Sequence, residues 1–271
     1  MDIEKNIKLH NKIAKKYEAT HTEIYNDIEQ TRLVNDLEKS LSFLNKSSVN
    51  ALDLGCGAGN LTNHLLNMGC HVIAADVSTG FLDLVKDKFS GRNISTFQLN
   101  GQDLNGIEDN SIDFIATYSV LHHIPDYIMT INEMIRVCAP GGIIYIDHEQ
   151  NNEYWEPKSE YKEFQRNVSK INIKKFFELT NYIGKFKRIF NPRYANEGDI
   201  HVWEDDHIEW DKIDSMMLAA DFQKVLQNDF LLYNSNYKDE VFNKYKDICS
   251  DMRVTAYQKN MDKRKPRIRL N

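Results

Sequence analysis

Nowhere does the chain carry the ~20 consecutive apolar residues needed to cross a bilayer, and its opening Met1-Asp2-Ile3-Glu4-Lys5-Asn6 lacks the apolar segment of a secretion signal. A cytoplasmic protein without membrane attachment is expected. Cysteine is scarce: Cys56, Cys70, Cys138 and Cys249 lie far apart with no C-x-x-C spacing. That pattern predicts reduced thiols rather than a disulfide framework or a zinc site. Excess positive charge is missing too, since 34 Lys and Arg face 40 Asp and Glu for a net charge of −6, which argues against general nucleic-acid binding. The basic stretches Lys185–Arg193 and Lys259–Arg269 are short, and such runs are expected as solvated surface. Internal repeats and low-complexity linkers are absent as well.

What is present begins with size: 271 residues, 41% hydrophobic and 11% aromatic, can bury a sizeable core as one domain with an elaboration. The most informative stretch is Ala51-Leu-Asp-Leu-Gly-Cys-Gly-Ala-Gly59. The apolar run from Val49 to Leu54 reads as a buried strand, and Gly55, Gly57 and Gly59 let the backbone turn sharply against a ligand before a helix starting near Asn60. Asp76 ends the next strand, 70–75, where a carboxylate can accept both hydroxyls of an adenosine ribose. Dinucleotide enzymes usually space their glycines G-x-G-x-x-G and set a pyrophosphate on the helix N-terminus. Here the spacing is G-x-G-x-G, and Asp53 would repel a pyrophosphate yet could hold an amino group directly or through water. A cofactor with a cationic end and an adenosine end fits these residues better.

With these residues the chain resembles the class I S-adenosylmethionine-dependent methyltransferases, in their small-molecule (type 11-like) branch. The resemblance continues in order through Glu108-Asp-Asn-Ser-Ile-Asp113-Phe-Ile, Ser119-Val-Leu-His-His-Ile-Pro125 and Arg136-Val-Cys-Ala-Pro-Gly-Gly-Ile-Ile-Tyr-Ile146. It implies S-adenosyl-L-methionine as cofactor, S-adenosyl-L-homocysteine as product, and a doubly wound α/β fold with a seven-stranded, mostly parallel sheet. It also implies that Asp53 and the turn Gly55, Cys56, Gly57 and Gly59 face the methionine portion, Asp76 the ribose and Val77 the adenine ring. Gln102, Asp103 and Leu104 would meet adenine from the far side, with Asp103 accepting from the exocyclic amine. The more usual Asp and Pro of that loop are replaced by Asn100 and Asn105. Tyr118 and Ser119 would pass beside the methionine moiety, and Tyr17 and Tyr25 complete the set from the N-terminal region.

Strand and helix signals alternate as a parallel sheet with right-handed crossovers requires. An N-terminal helical cap is expected over 1–46, with Ile3, Ile7, Ile13 and Tyr17 on one side of a first helix and Leu33, Leu37, Leu41 and Leu44 on a later one. The cofactor-binding core, 47–148, is predicted as helix 60–68, strand 70–75, helix 80–89, strands 94–99 and 112–117, helix 126–137 and strand 142–147. Residues 149–211 form a long aromatic segment expected to fold as an acceptor-binding cap, because structureless loops of that length are rare. The sheet is completed within 212–260 by helix 212–220, strand 223–228, helix 238–251 and an antiparallel strand 253–259. A basic tail, 261–271, ends the chain.

Methyl transfer from a sulfonium asks mainly for in-line approach in a dry pocket. An oxygen nucleophile of high pKa also needs a base, for which His122, His123, His148, His201 and His207 are available. His148, followed by Glu149 at the open end of a strand, is the first choice, with His123 and His207 next, while His122 and His123 also suit packing or capping roles. The carboxylates and imidazoles of His201-Val-Trp-Glu-Asp-Asp-His207-Ile-Glu209 are suitable metal ligands, but their spacing is not diagnostic and no metal is expected. The expected activity is methylation of a small-molecule acceptor, on oxygen of a sugar, polyol or secondary metabolite. N-methylation of a small amine, or a silent cofactor-binding regulator, are the alternatives, since fold does not settle chemistry.

Overall fold

The computed structural model describes residues 23–169 and 207–261. The expectations for Ile3, Ile7, Ile13, Tyr17 and His201, for residues 170–206 of the aromatic segment and for the tail beyond 261 lie outside these residues.

Seven strands form one sheet: β1 (Asn50–Leu54), β2 (His71–Asp76), β3 (Ile94–Gln98), β4 (Ile112–Tyr118), β5 (Cys138–Gln150), β6 (Phe222–Phe230) and β7 (Met252–Lys259). Their order is β3-β2-β1-β4-β5-β7-β6. The first five run parallel; β7 slots between β5 and β6, antiparallel to both. The order reverses between β1 and β4, and in open sheets of this kind a crevice forms at that switch point, beyond the carboxyl ends of the strands.

The central strands are apolar on both faces because both are covered. Ala51, Phe114, Ile143 and Tyr145 pack against α1 (Asp27–Leu41), α2 (Asn60–Asn67) and α3 (Thr79–Lys88) through Leu33, Leu37, Leu61, Leu65 and Val85. Their alternate neighbours Leu52, Ile115, Ile144 and Ile146 meet α4 (Tyr127–Val137) and α7 (Trp210–Ala219) through Ile131, Met134, Ile213 and Met217. Full burial of each such side chain stabilises by about 1.5–3 kcal/mol. The helices begin where short polar side chains cap them: Asn26, Ser78 and Asp126 accept the backbone N–H groups of Glu29, Phe81 and Met129.

A third, smaller cluster sits past the ends of β5 and β6. Here α6 (Ser159–Val168) and α8 (Asp239–Tyr245) bury Tyr161, Phe164, Val168, Phe242 and Tyr245 around Leu231. The short α5 (Asn152–Trp155) precedes them. Two elements depart clearly from the sequence expectation. The helix predicted over 238–251 ends at Tyr245, because the chain then turns to bring Asp251 N onto Phe230 O and enter β7. The strand predicted over 142–147 spans Cys138–Gln150, with its register against β7 shifting between Ile146 and Glu149. No helix among the described residues is long and apolar enough to cross a membrane.

Candidate active site

The glycine turn after β1 packs against the ends of β2 and β4. Gly55 N and Cys56 N both donate to Ala75 O at 2.8 and 2.9 Å, so the turn is tied to the neighbouring strand. Gly55 has φ +76°, and a Cβ there would lie 2.6 Å from Val120 Cγ2; no other residue lets the two loops approach this closely. Gly57, at φ +48°, has open space where its Cβ would be. Asp76 closes the turn: Gly57 N donates to its Oδ2 at 3.0 Å and Ser78 N to its Oδ1 at 2.8 Å. The buried Nδ2 of Asn60, immediately after the turn, has no hydrogen-bond partner. An open backbone face, a carboxylate at a strand end and an orphaned amide donor are groups that suit a polar nucleoside ligand such as S-adenosylmethionine.

Asp53 is fully buried and accepts from Thr62 Oγ1 at 2.5 Å. Burial pushes its carboxyl up to about 7 against the hydrogen bonds from Thr62. It therefore joins β1 to α2, beneath the turn. Cys56 is buried and Val77 half-buried. On the opposite side, Asn100 Oδ1 accepts from Gln102 N and Asp103 N, and Asp103 Oδ1 accepts from Asn100 Nδ2 and Asn105 N. The two asparagines that depart from the family pattern thus hold this loop in shape. Leu104 is anchored from α4, its N–H on Glu133 and its carbonyl on Arg136.

The ends of β4 and β5 carry further candidates, Tyr118 and Ser119 for the cofactor and His148 for the base. Ser119 and His148 both sit in the left-handed region, at φ 58° and 60°, a conformation that costs a non-glycine residue about 1–2 kcal/mol. Strain of this kind clusters at functional sites. Ser119 N is held by Asp147 O at 3.0 Å. His148 stacks on Tyr118 with ring centroids 4.6 Å apart, and neither ring nitrogen has a hydrogen-bond partner. Burial lowers its pKa to about 4, so the imidazole is neutral. Tyr118 donates to Glu29 Oε1 at 2.8 Å, and Tyr25 packs at the edge of the first core cluster.

His122 and His123 lie on a 3₁₀ turn directly after β4, their rings 4.0 Å apart. Glu149, fully buried on β5, accepts from Val120 N and Leu121 N through Oε1, and its Oε2 lies 2.7 Å from His122 Nδ1. The His207 ring packs tilted against Trp155 at 4.8 Å and, with His122, Tyr127 and Glu209, lines a cavity of about 230 Å³. The structure therefore gathers His122 and His207 at one cavity, whereas His148 packs on Tyr118. Sequence reasoning did not anticipate the buried cluster of Arg32, Glu29, Asp36 and Asp147. Its signal was a row of charges at helical spacing beside Leu33 and Leu37.

Residues 52–146 match the sequence profile of a methyltransferase domain. The chain is similar to a demethylmenaquinone methyltransferase of Staphylococcus saprophyticus, 36% identical over 104 residues, 36% of this chain and 44% of that one. It is also similar to a ubiquinone biosynthesis O-methyltransferase of Methylococcus capsulatus, 27% identical over 97 residues, 35% of this chain and 41% of that one. The chain thus spans less than half the length of these curated relatives. In fold it is similar to an S-adenosylmethionine-dependent methyltransferase of Methanosarcina mazei, with a TM-score of 0.53 at 18% identity, covering 82% of this chain and 96% of that one. Glycine turn, strand-end aspartate and sheet order agree with these likenesses, and the match to a methyltransferase domain spans 52–146, from within β1 to within β5.

Proposed function

We propose that this chain transfers the methyl group of S-adenosylmethionine to a hydroxyl oxygen of a small molecule such as a sugar, a polyol or a secondary metabolite. The observation that carries the reading is the closure of the glycine turn by Asp76, through Gly57 N at 3.0 Å, at the switch point of the sheet. When bound, the cofactor supplies a methyl group on a sulfonium, which leaves as a neutral thioether. The protein's part is to bind and orient: Asp76 accepts from the ribose hydroxyls, and Gly57 and its neighbours present backbone close to the methionine portion. Asp103 borders the adenine, and Tyr118 and Ser119 flank the transfer path. Positioning of this kind supplies most of what a sulfonium transfer needs. The Methylococcus relative is named an O-methyltransferase, which favours oxygen over nitrogen as the methylated atom.

Calorimetry with S-adenosylmethionine and S-adenosylhomocysteine tests the cofactor site. Both are expected to bind, and Asp76→Ala is expected to weaken each by about 10–100-fold, the loss of charged hydrogen bonds worth about 1.5–3 kcal/mol. Incubation of a metabolite extract with methyl-labelled cofactor then separates the readings: a labelled ether supports O-methylation, a labelled amine the N-methylation alternative. Binding with no label transferred supports the regulatory one. Absence of heat from both compounds would sink all three.

A further inference from the structure

We propose that His122, oriented by Glu149, is the base that takes the proton from the acceptor hydroxyl, and that the cavity beside it receives the acceptor. This inference rests on the O-methyltransferase reading above and deepens it.

Glu149 is positioned by the strain just before it. The left-handed backbone of His148 and the register shift between Ile146 and Glu149 let the residues on either side of His148 serve two anchors. Asp147 goes to Arg32 of α1, and Glu149 goes to the turn after β4. There Val120 N at 3.0 Å and Leu121 N at 2.8 Å hold Oε1. The carboxylate's rotation is therefore fixed, and Oε2 is left for His122 Nδ1 at 2.7 Å. A carboxylate beside Nδ1 keeps the proton on that nitrogen, so Nε2 carries the lone pair. This is the tautomer a general base needs, held by an orienting group that is 0% exposed.

The ring lines the cavity of about 230 Å³ together with Leu121, Ile124, Tyr127, His207 and Glu209. That volume lies below the 300–1,000 Å³ usual for drug-sized ligands, which points to a compact acceptor. It opens beside the segment after β4, one residue from Val120, whose side chain abuts Gly55 of the cofactor turn. The charged and titratable groups around His122 are Glu149 from β5, the rings of His123 and His148, and Tyr127, His207 and Glu209 across the cavity. His148, which burial holds neutral, is suited to hydrogen-bonding rather than proton uptake at neutral pH.

In the step assigned here the acceptor O–H gives its proton to His122 Nε2, and an oxygen lone pair forms the new O–C bond. The C–S bond breaks with its electron pair passing to sulfur, leaving the uncharged thioether. Imidazolium, stabilised by Glu149, then releases the proton to solvent.

Two substitutions test the pair. Glu149→Gln keeps an oxygen for Val120 N and Leu121 N but turns an amide N–H toward Nδ1, which forces the ring proton onto Nε2. His122→Gln leaves Glu149 intact. Nitrogen-15 NMR of the ligand-free protein is expected to show His122 as the Nδ1–H tautomer, and as Nε2–H in Glu149→Gln; an Nε2–H tautomer in the unmodified protein overturns the proposal. With methyl-labelled S-adenosylmethionine and a metabolite extract, both variants are expected to lose about 10²–10⁴-fold in label transfer. Their affinity for S-adenosylhomocysteine should stay within about threefold, which reports that the cofactor site is folded. Undiminished transfer at retained affinity overturns the proposal. Failure of the unmodified protein to bind either cofactor form counts instead against the function proposed above, and the NMR arm still decides the orientation of His122.

Discussion

Arg32 on the first helix meets Asp147 on the fifth strand across 115 residues of sequence, its Nη2 lying 3.1 and 3.0 Å from the two carboxylate oxygens. The same guanidinium takes Glu29 at 2.5 Å and Asp36 at 2.8 Å and covers the Phe230 ring at 4.0 Å. Burial works to lower its pKa, and Asp147 and Glu29 more than offset this, so the net shift is upward and the group stays charged. One side chain thus fastens α1 to the strand ends where Tyr118, His148 and Glu149 lie.

Arg32→Met should therefore be severely destabilising. Asp147 is 0% exposed and Glu29 3%, so their charges would be left buried without the cation that balances them, at a cost of about 3–5 kcal/mol. Urea unfolding followed by circular dichroism measures it. Adding Asp147→Asn to Arg32→Met should recover part of the loss; a double variant no more stable than the single one would show that Asp147 is not where the penalty arises.

Stability should also depend on pH in a way that can be assigned to residues. Burial pushes Asp251 up to about 7, against hydrogen bonds from Leu232 N and Tyr161. Asp53 is likewise raised to about 7. Both values exceed the unfolded value of about 3.9, so the stability each contributes is complete below that value and is lost as pH rises through 7. His148 acts in the opposite sense. Lowered to about 4 by burial, below an unfolded value of about 6.5, it contributes stability that is complete above 6.5 and lost as pH falls through 4. Urea midpoints at pH 5, 6.5 and 8 should fall with rising pH, each proton contributing at most about 1.4 kcal/mol per pH unit. Asp251→Asn should flatten that fall. An Asp251→Asn protein that keeps the full slope would remove Asp251 from the explanation.

The sheet was largely legible in the sequence because its signals are local: apolar runs for β1, β2 and β4, the glycine turn that ends β1, and caps such as Asp126 that start helices. The glycine turn and the strand-end position of Asp76 were legible too, because one backbone geometry admits few residues there. What escaped depends on distant partners. Arg32, Glu29 and Asp36 carry no local sign of burial, which follows from Asp147 lying beside Arg32. Glu149 likewise gives no sign of its bond to His122, because that pairing follows from a register shift after Ile146. Strand β7 carries the apolar pattern of any strand, and nothing local specifies its place between β5 and β6.

Gly55 and Gly57 separate the two demands made on the turn. Both have positive φ, so alanine at either costs about 1–2 kcal/mol in backbone strain. At Gly55 the new Cβ also meets Val120 Cγ2 at 2.6 Å, and Val120 cannot retreat freely because its N–H is bound to Glu149. Gly55→Ala should therefore lower the thermal midpoint well beyond Gly57→Ala, and Val120→Ala should restore part of the difference. At Gly57 nothing of the protein lies within 4 Å of the added methyl group; the group instead occupies the face proposed to meet the cofactor. Gly57→Ala should lose only that backbone strain, about 1–2 kcal/mol, while losing at least about tenfold in S-adenosylhomocysteine affinity, roughly 1.4 kcal/mol. Scanning calorimetry and isothermal titration on the two variants read these quantities separately. Unimpaired binding by Gly57→Ala would move the cofactor away from the turn.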